Sequence, residues 1–130
     1  SDLIVIRHGC KIFAESQVKV LDVKMEDMIT VRDGFSGNFV NVGDVILLAD
    51  VTYTVIDDKG MVLDRGSVCK ELSVPPQQKA AFNVALSQEI SAGNYTLVID
   101  FDRKRAGVLV KEIDFSKDVT GALKIGKIKD

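Results

Sequence analysis

The chain has 130 residues, 46% of them hydrophobic, and sets 17 basic side chains against 19 acidic ones for a net charge of −2. That length fits one domain with a continuous core, and the hydrophobic share excludes a disordered or low-complexity chain. A near-neutral balance leaves no cationic surplus for tracking phosphates, so nucleic acid is not an expected partner. No apolar run reaches the roughly 20 residues of a membrane helix, so membrane insertion is not expected either.

The chain opens Ser1-Asp2 with no initiator Met, basic n-region or signal core, and reads as a mature or excised product whose export signal lies outside it. Two cysteines, Cys10 and Cys69, leave two readings. One is a single disulfide closing a loop of about 60 residues, worth on the order of 4 kcal/mol. The other is a pair of reduced, buried thiols.

Leu3–Ile6 is a short apolar run ending at Arg7-His8-Gly9, after which Cys10–Phe13 resumes as a first strand broken by a glycine turn or bulge. Ala14–Thr30 alternates with a change of parity, which reads as a strand with a bulge near Val20-Leu21. The spacing Val18, Leu21, Met25, Met28 also fits a helix, but the valine content and missing cap favour the strand. A strand follows over about Gly34–Val40, then the turn Asn41–Asp44.

Ile46–Asp57 is a clear strand, with Val51, Tyr53 and Val55 on one face. Asp57-Asp58-Lys59-Gly60 turns it into Met61–Asp64, and Arg65-Gly66 is expected to bend the chain into Ser67–Val74. Pro75-Pro76 followed by Gln77–Ala81 looks like a helix start. Phe82, Val84 and Leu86 nevertheless alternate with Ala81, Asn83 and Ala85 as a half-buried strand does, and the strand is the reading taken over residues 77–89.

The strongest signal is Ile90–Asp102, where Tyr95, Leu97, Ile99 and Phe101 share one face; it predicts the central strand. After the charged turn Asp102–Ala106, Gly107–Phe115 is expected to pair with the opening stretch, and Ser116–Asp130 to form a final edge strand or a tail.

About seven short strands with turns every 8–12 residues predict an all-β, immunoglobulin-like antiparallel sandwich. Asn41-Val42-Gly43-Asp44, Asp57-Asp58-Lys59-Gly60, Pro75-Pro76 and Gly93-Asn94-Tyr95-Thr96 follow one another as the turns of bacterial immunoglobulin-like (fibronectin-III-like) domains do. The chain resembles those domains, above all the sandwiches of periplasmic pilus-chaperone-like proteins. The resemblance implies residues 1–16 as a strand or linker from a preceding domain, 17–116 as the sandwich and 117–130 as an edge strand or tail. It implies a noncatalytic protein-binding or assembly module of an exported bacterial protein, in the periplasm or at the cell surface. The alternative is a structural spacer domain of a larger cell-surface protein or enzyme.

Candidate sites are few. The Arg7-His8-Gly9 motif after an apolar strand resembles the opening of the histidine phosphatase superfamily. His8 is the only histidine, so the second histidine of that phosphoryl-transfer chemistry is missing, and the hydrolase reading is a distant alternative. No catalytic, cofactor-binding or metal-binding residue is assigned. Asp100, Asp102 and Asp114 have no recognised calcium-loop spacing, and Arg103-Lys104-Arg105 reads as a solvated tip. Structural roles fall to Asn41, Gly43, Gly60, Gly93 and Tyr95, with Tyr95 expected to turn its hydroxyl back to the chain just upstream. A protein partner or neighbouring domain is expected at a sheet edge carrying Val108, Val110, Lys111 and Glu112, or against Leu3–Phe13.

Overall fold

The computed structural model describes residues 21–129 and the backbone of two short strands before them, β1 (Leu3–Ile4) and β2 (Gln17–Val18). These two pair antiparallel with each other, Leu3 opposite Val18. The remaining strands are β3 (Val23–Val31), β4 (Gly34–Asn41), β5 (Leu47–Asp57), β6 (Val62–Val74), β7 (Lys79–Ala85), β8 (Gly93–Asp102), β9 (Val108–Lys117) and β10 (Leu123–Lys129). They form two antiparallel sheets, one of three strands in the order β3-β4-β7 and one of five in the order β10-β9-β8-β5-β6. The fold is an all-β sandwich, with eight strands in its two sheets where about seven were expected.

Alternation decides which side chains the two sheets enclose. Val51, Tyr53 and Val55 of β5 face inward beside Tyr95, Leu97, Ile99 and Phe101 of β8, and all are buried. β8 lies third of five, at the centre of its sheet. From the facing sheet come Phe35 and Phe39 of β4 and Phe82 and Val84 of β7, so 77–89 holds a strand with its apolar row turned in. Aromatic pairs lock the layers together. Phe39 stacks on Phe82 at 3.9 Å and meets Phe101 edge-on at 4.9 Å, while Phe35 meets Phe115 edge-on at 4.9 Å. Each cross-sheet pair adds about 0.5–1.5 kcal/mol beyond the burial of its rings.

Three expectations are corrected. The first long strand begins at Val23, after Leu21, and its bulge lies between Glu26 and Ile29; Val20 lies outside the described residues. Asp27 takes φ 55° there, which returns Met28 to the core side three residues after Met25; the spacing that resembled a helix is that of a bulged strand. Arg65-Gly66 does not bend the chain, because β6 runs unbroken for 13 residues and Gly66 pairs with Tyr53. The glycine is needed there since a Cβ would stand 2.8 Å from the Tyr53 ring, so Gly66 marks a close approach and not a turn. Finally, β9 pairs with β8 and β10, while the described part of the opening stretch, Leu3–Ile4, pairs with Gln17–Val18.

Candidate functional site

The loops at the two ends of the sandwich are held by polar side chains that bond the backbone. Asn41, wholly buried at the end of β4, donates from Nδ2 to the carbonyls of Val45 and Val74 at 2.8 Å each and accepts the Gly43 N–H at 2.9 Å. Its backbone accepts from Gln77 and donates to Gln78. One amide thus clamps the β4–β5 loop onto the β6–β7 loop, and Gly43 completes the knot by accepting from Gln77 Nε2. At the opposite end, Asp57 Oδ1 accepts from Lys59 and Met61, and Gly60 supplies the positive φ of 82° that closes the hairpin. The Tyr95 hydroxyl donates to the Ser91 carbonyl at 2.5 Å, tying the β7–β8 loop to the start of β8. Gly93 lies beside that hydroxyl, 3.5 Å from where its Cβ would stand.

Asp64 is the feature that sequence reading passed over. It opposes Val55 in the β5–β6 ladder, so the register turns it into the sandwich, and it is buried. Its carboxylate accepts from the Tyr53 hydroxyl at 2.9 Å, from the Ser87 N–H at 2.8 Å, from the Arg65 N–H at 2.9 Å and, by a short bond, from the Ser87 hydroxyl. Burial by itself would lift this carboxyl, but the bonds from Ser87, Tyr53 and Arg65 outweigh it and hold the group below its ordinary value. Burial dominates at Tyr53 and pushes its phenol up. A carboxylate so fully engaged is a weak base, and the Ser87 hydroxyl is spent as a donor to it. The cluster staples β6 to the loop after β7, across the two sheets. The sequence carried no signal for it: plain counting from the Asp57–Gly60 turn puts Leu63 opposite Val55, and only the register shift between Val55 and Ile56 brings Asp64 there.

Three open clefts line the end that carries the Asp57–Gly60 turn. One of them, about 490 Å³, has Asp57, Asn94, Thr96, Asp114 and Lys124 in its walls. Thr96 Oγ1 lies 3.3 Å from Asp114 Oδ1, and Lys129 Nζ 3.9 Å from the same oxygen, so the Asp114 charge is already partly answered. Asp100 stands on the outer face of β8 opposite Val110, where burial pushes its carboxyl up. Among the described residues no three metal-ligating side chains converge, so Asp100, Asp102 and Asp114 do not make a cluster. In the basic tip, Lys104 reaches Asp50 at 2.7 Å, which raises the ammonium and lowers the carboxyl.

The expected partner edge is corrected in two ways. β10 covers β9 from Lys117 to Glu112, so only Val108–Lys111 runs on without a strand on that side among the described residues. Lys111 is not a charge along the edge, for it faces inward, 5% exposed, and its Nζ lies 3.2 Å from Asp22. Glu112 is paired with Lys129 at 3.7 Å. Val108 and Val110 are 57% and 48% exposed. The Arg103 N–H to Gly107 carbonyl bond sets the phase of the β8–β9 ladder. That phase points the backbone groups of Val108 and Val110 away from β8, over the open side.

Cys69, half-buried, lies opposite Val51 with its sulfur 3.6 Å from the Lys70 carbonyl. Cys10, the Arg7-His8-Gly9 motif and most of Leu3–Phe13 lie outside the described residues, and with them the disulfide and phosphoryl-transfer readings. No helix among the described residues is long and apolar enough to cross a membrane. No protein-family model matches the chain, and no curated protein matches it.

Proposed function

We propose that the chain is a noncatalytic protein-binding or assembly module of an exported bacterial protein, an immunoglobulin-like sandwich of the pilus-chaperone-like kind working in the periplasm or at the cell surface. The internal economy of its polar groups supports this reading. Asn41, Asp64 and Tyr95 spend their hydrogen bonds on holding loops, which suits a rigid platform.

The observation that carries the proposal is the stretch of β9 beyond the end of β10. Two exposed β-branched residues, Val108 and Val110, stand there on a strand whose outward N–H and C=O groups have no ladder partner among the described residues. Such a segment accepts an added strand from a partner or a neighbouring domain. Proline at Val110 removes an outward N–H and leaves the β8 ladder intact. Crosslinking in the cell envelope, followed by capture of the chain, is expected to recover a specific protein with the native sequence and to lose it with a folded Val110→Pro variant. Equal recovery by both removes this edge from the function and leaves the spacer reading, in which the domain only positions its neighbours.

A further inference from the structure

We infer that β7 is a self-pairing edge through which two copies of this chain join their three-stranded sheets into one of six strands. β7 has β4 on one side and no strand on the other among the described residues. The phase of its ladder follows from one bond, the Leu86 N–H to the Asp33 carbonyl. Continued along the register, this makes Phe35 with Val84, Gly37 with Phe82 and Phe39 with Ala80 the hydrogen-bonded pairs. The backbone groups of Lys79, Ala81, Asn83 and Ala85 therefore point away from β4. The Ala85 carbonyl confirms the phase, since it is met from that side by the Tyr53 hydroxyl at 3.0 Å. The N–H and C=O groups of Ala81 and Asn83 are left facing outward, on residues that are themselves exposed.

The other edge strands, β3, β6 and β10, carry the devices that discourage pairing, and β7 does not. β3 is broken by the bulge at Asp27. β6 has a positive φ of 53° at Glu71 and register shifts along its ladder with β5. β10 carries Lys124, Lys127 and Lys129 and a register shift after Ile125. β7 is regular over all seven of its residues, holds no proline, and has Lys79 at its start as its one charge. The side chains of Ala81, Asn83 and Ala85 on its outer face, next to Ser36 and Asn38 of β4, are small enough that nothing stands over the open backbone.

The occupant that fits is a second copy, because the strand is complementary to itself. With a two-fold axis at Phe82, Ala81 faces Asn83 of the second copy, and both present outward groups, as an antiparallel hydrogen-bonded pair requires. Lys79 then faces Ala85 of the second copy, and the two ammonium groups sit at opposite ends of the pair, on the order of 20 Å apart along the strand. The inner row Ala80, Phe82, Val84 continues the apolar layer across the axis.

The test is the mass of the native chain in solution over a concentration series, by light scattering or sedimentation. A concentration-dependent dimer is expected. Asn83→Pro removes one outward donor per copy, two per dimer, and is expected to weaken the dimer about thirtyfold while the domain keeps its β spectrum. Ala81→Lys, which places a charge on the edge, serves if the proline variant does not fold. Val110→Pro is expected to leave the dimer unchanged, so this inference and the partner edge on β9 fail separately. A chain that is monomeric at every concentration overturns the inference, as does a dimer that folded Asn83→Pro and Ala81→Lys variants form at full strength.

Discussion

Replacing Asn41 by alanine tests whether the knot between the two loops is what holds that end of the sandwich closed. The change strands the Val74 carbonyl and the Gly43 N–H in buried surroundings and the Val45 carbonyl in partly buried ones. Unpaired buried groups cost about 1–3 kcal/mol each. Allowing about 1.5 for each of the first two and less for the third gives a loss of about 3–4 kcal/mol. Against a total of about 5–15 kcal/mol for a domain, that is a large share. At about 4 °C per kcal/mol for a chain of this size, the melting temperature should fall by about 12–16 °C. Urea unfolding should give the same loss with an unchanged slope. Asn41→Asp is the companion measurement. It keeps the shape and the acceptor for Gly43 but turns an oxygen toward two carbonyls, so it should be at least as damaging. A loss below about 1 kcal/mol for Asn41→Ala would refute the reasoning, because it would mean water replaces all three bonds at little cost.

Asp64→Asn should be less stable than the native chain at neutral pH by about 2 kcal/mol, the worth of hydrogen bonds to a charged acceptor. The carboxyl is held below its ordinary value in the fold. Its contribution is therefore complete above the unfolded value of about 3.9 and is lost as pH falls from there through the lower folded value. Unfolding curves of the two chains should accordingly converge below about pH 4, and a gap that stays constant into strong acid would contradict the assignment. Tyr95→Phe keeps the ring against Phe115, 5.5 Å away, and loses only the bond to Ser91. It should cost about 1 kcal/mol, or about 4 °C in thermal unfolding, and a neutral result would show that the hydroxyl does no more there than in water.

The sequence by itself determined which stretches are strands and which of their faces are buried. In β5 and β8, strict alternation of Val51, Tyr53, Val55 and of Tyr95, Leu97, Ile99, Phe101 left one face to bury, and burying it requires a second layer. Asp57–Gly60 and Asn41–Asp44 were legible as turns because their side chains bond the backbone within a few residues, a local matter. In β7, alternation outweighed the helix signal of Pro75-Pro76 because Phe82 and Val84 have a partner layer to fill.

Only the tertiary structure decided which strands are neighbours, because a period of two says which way a side chain points and nothing of what lies beside the strand. Hence β9 found β10, where the opening stretch was expected, and Lys111 was drawn inward beside Asp22, a residue far from it in the chain. Gly66 reads as a turn until the Tyr53 ring is seen lying on it, and Asp64 reads as a surface charge until Ser87 arrives from the other sheet. The open backbone of β7 is likewise invisible in the sequence Lys-Ala-Ala-Phe-Asn-Val-Ala. A strand is an edge only by virtue of what does not pair with it, and that is settled when the two sheets close.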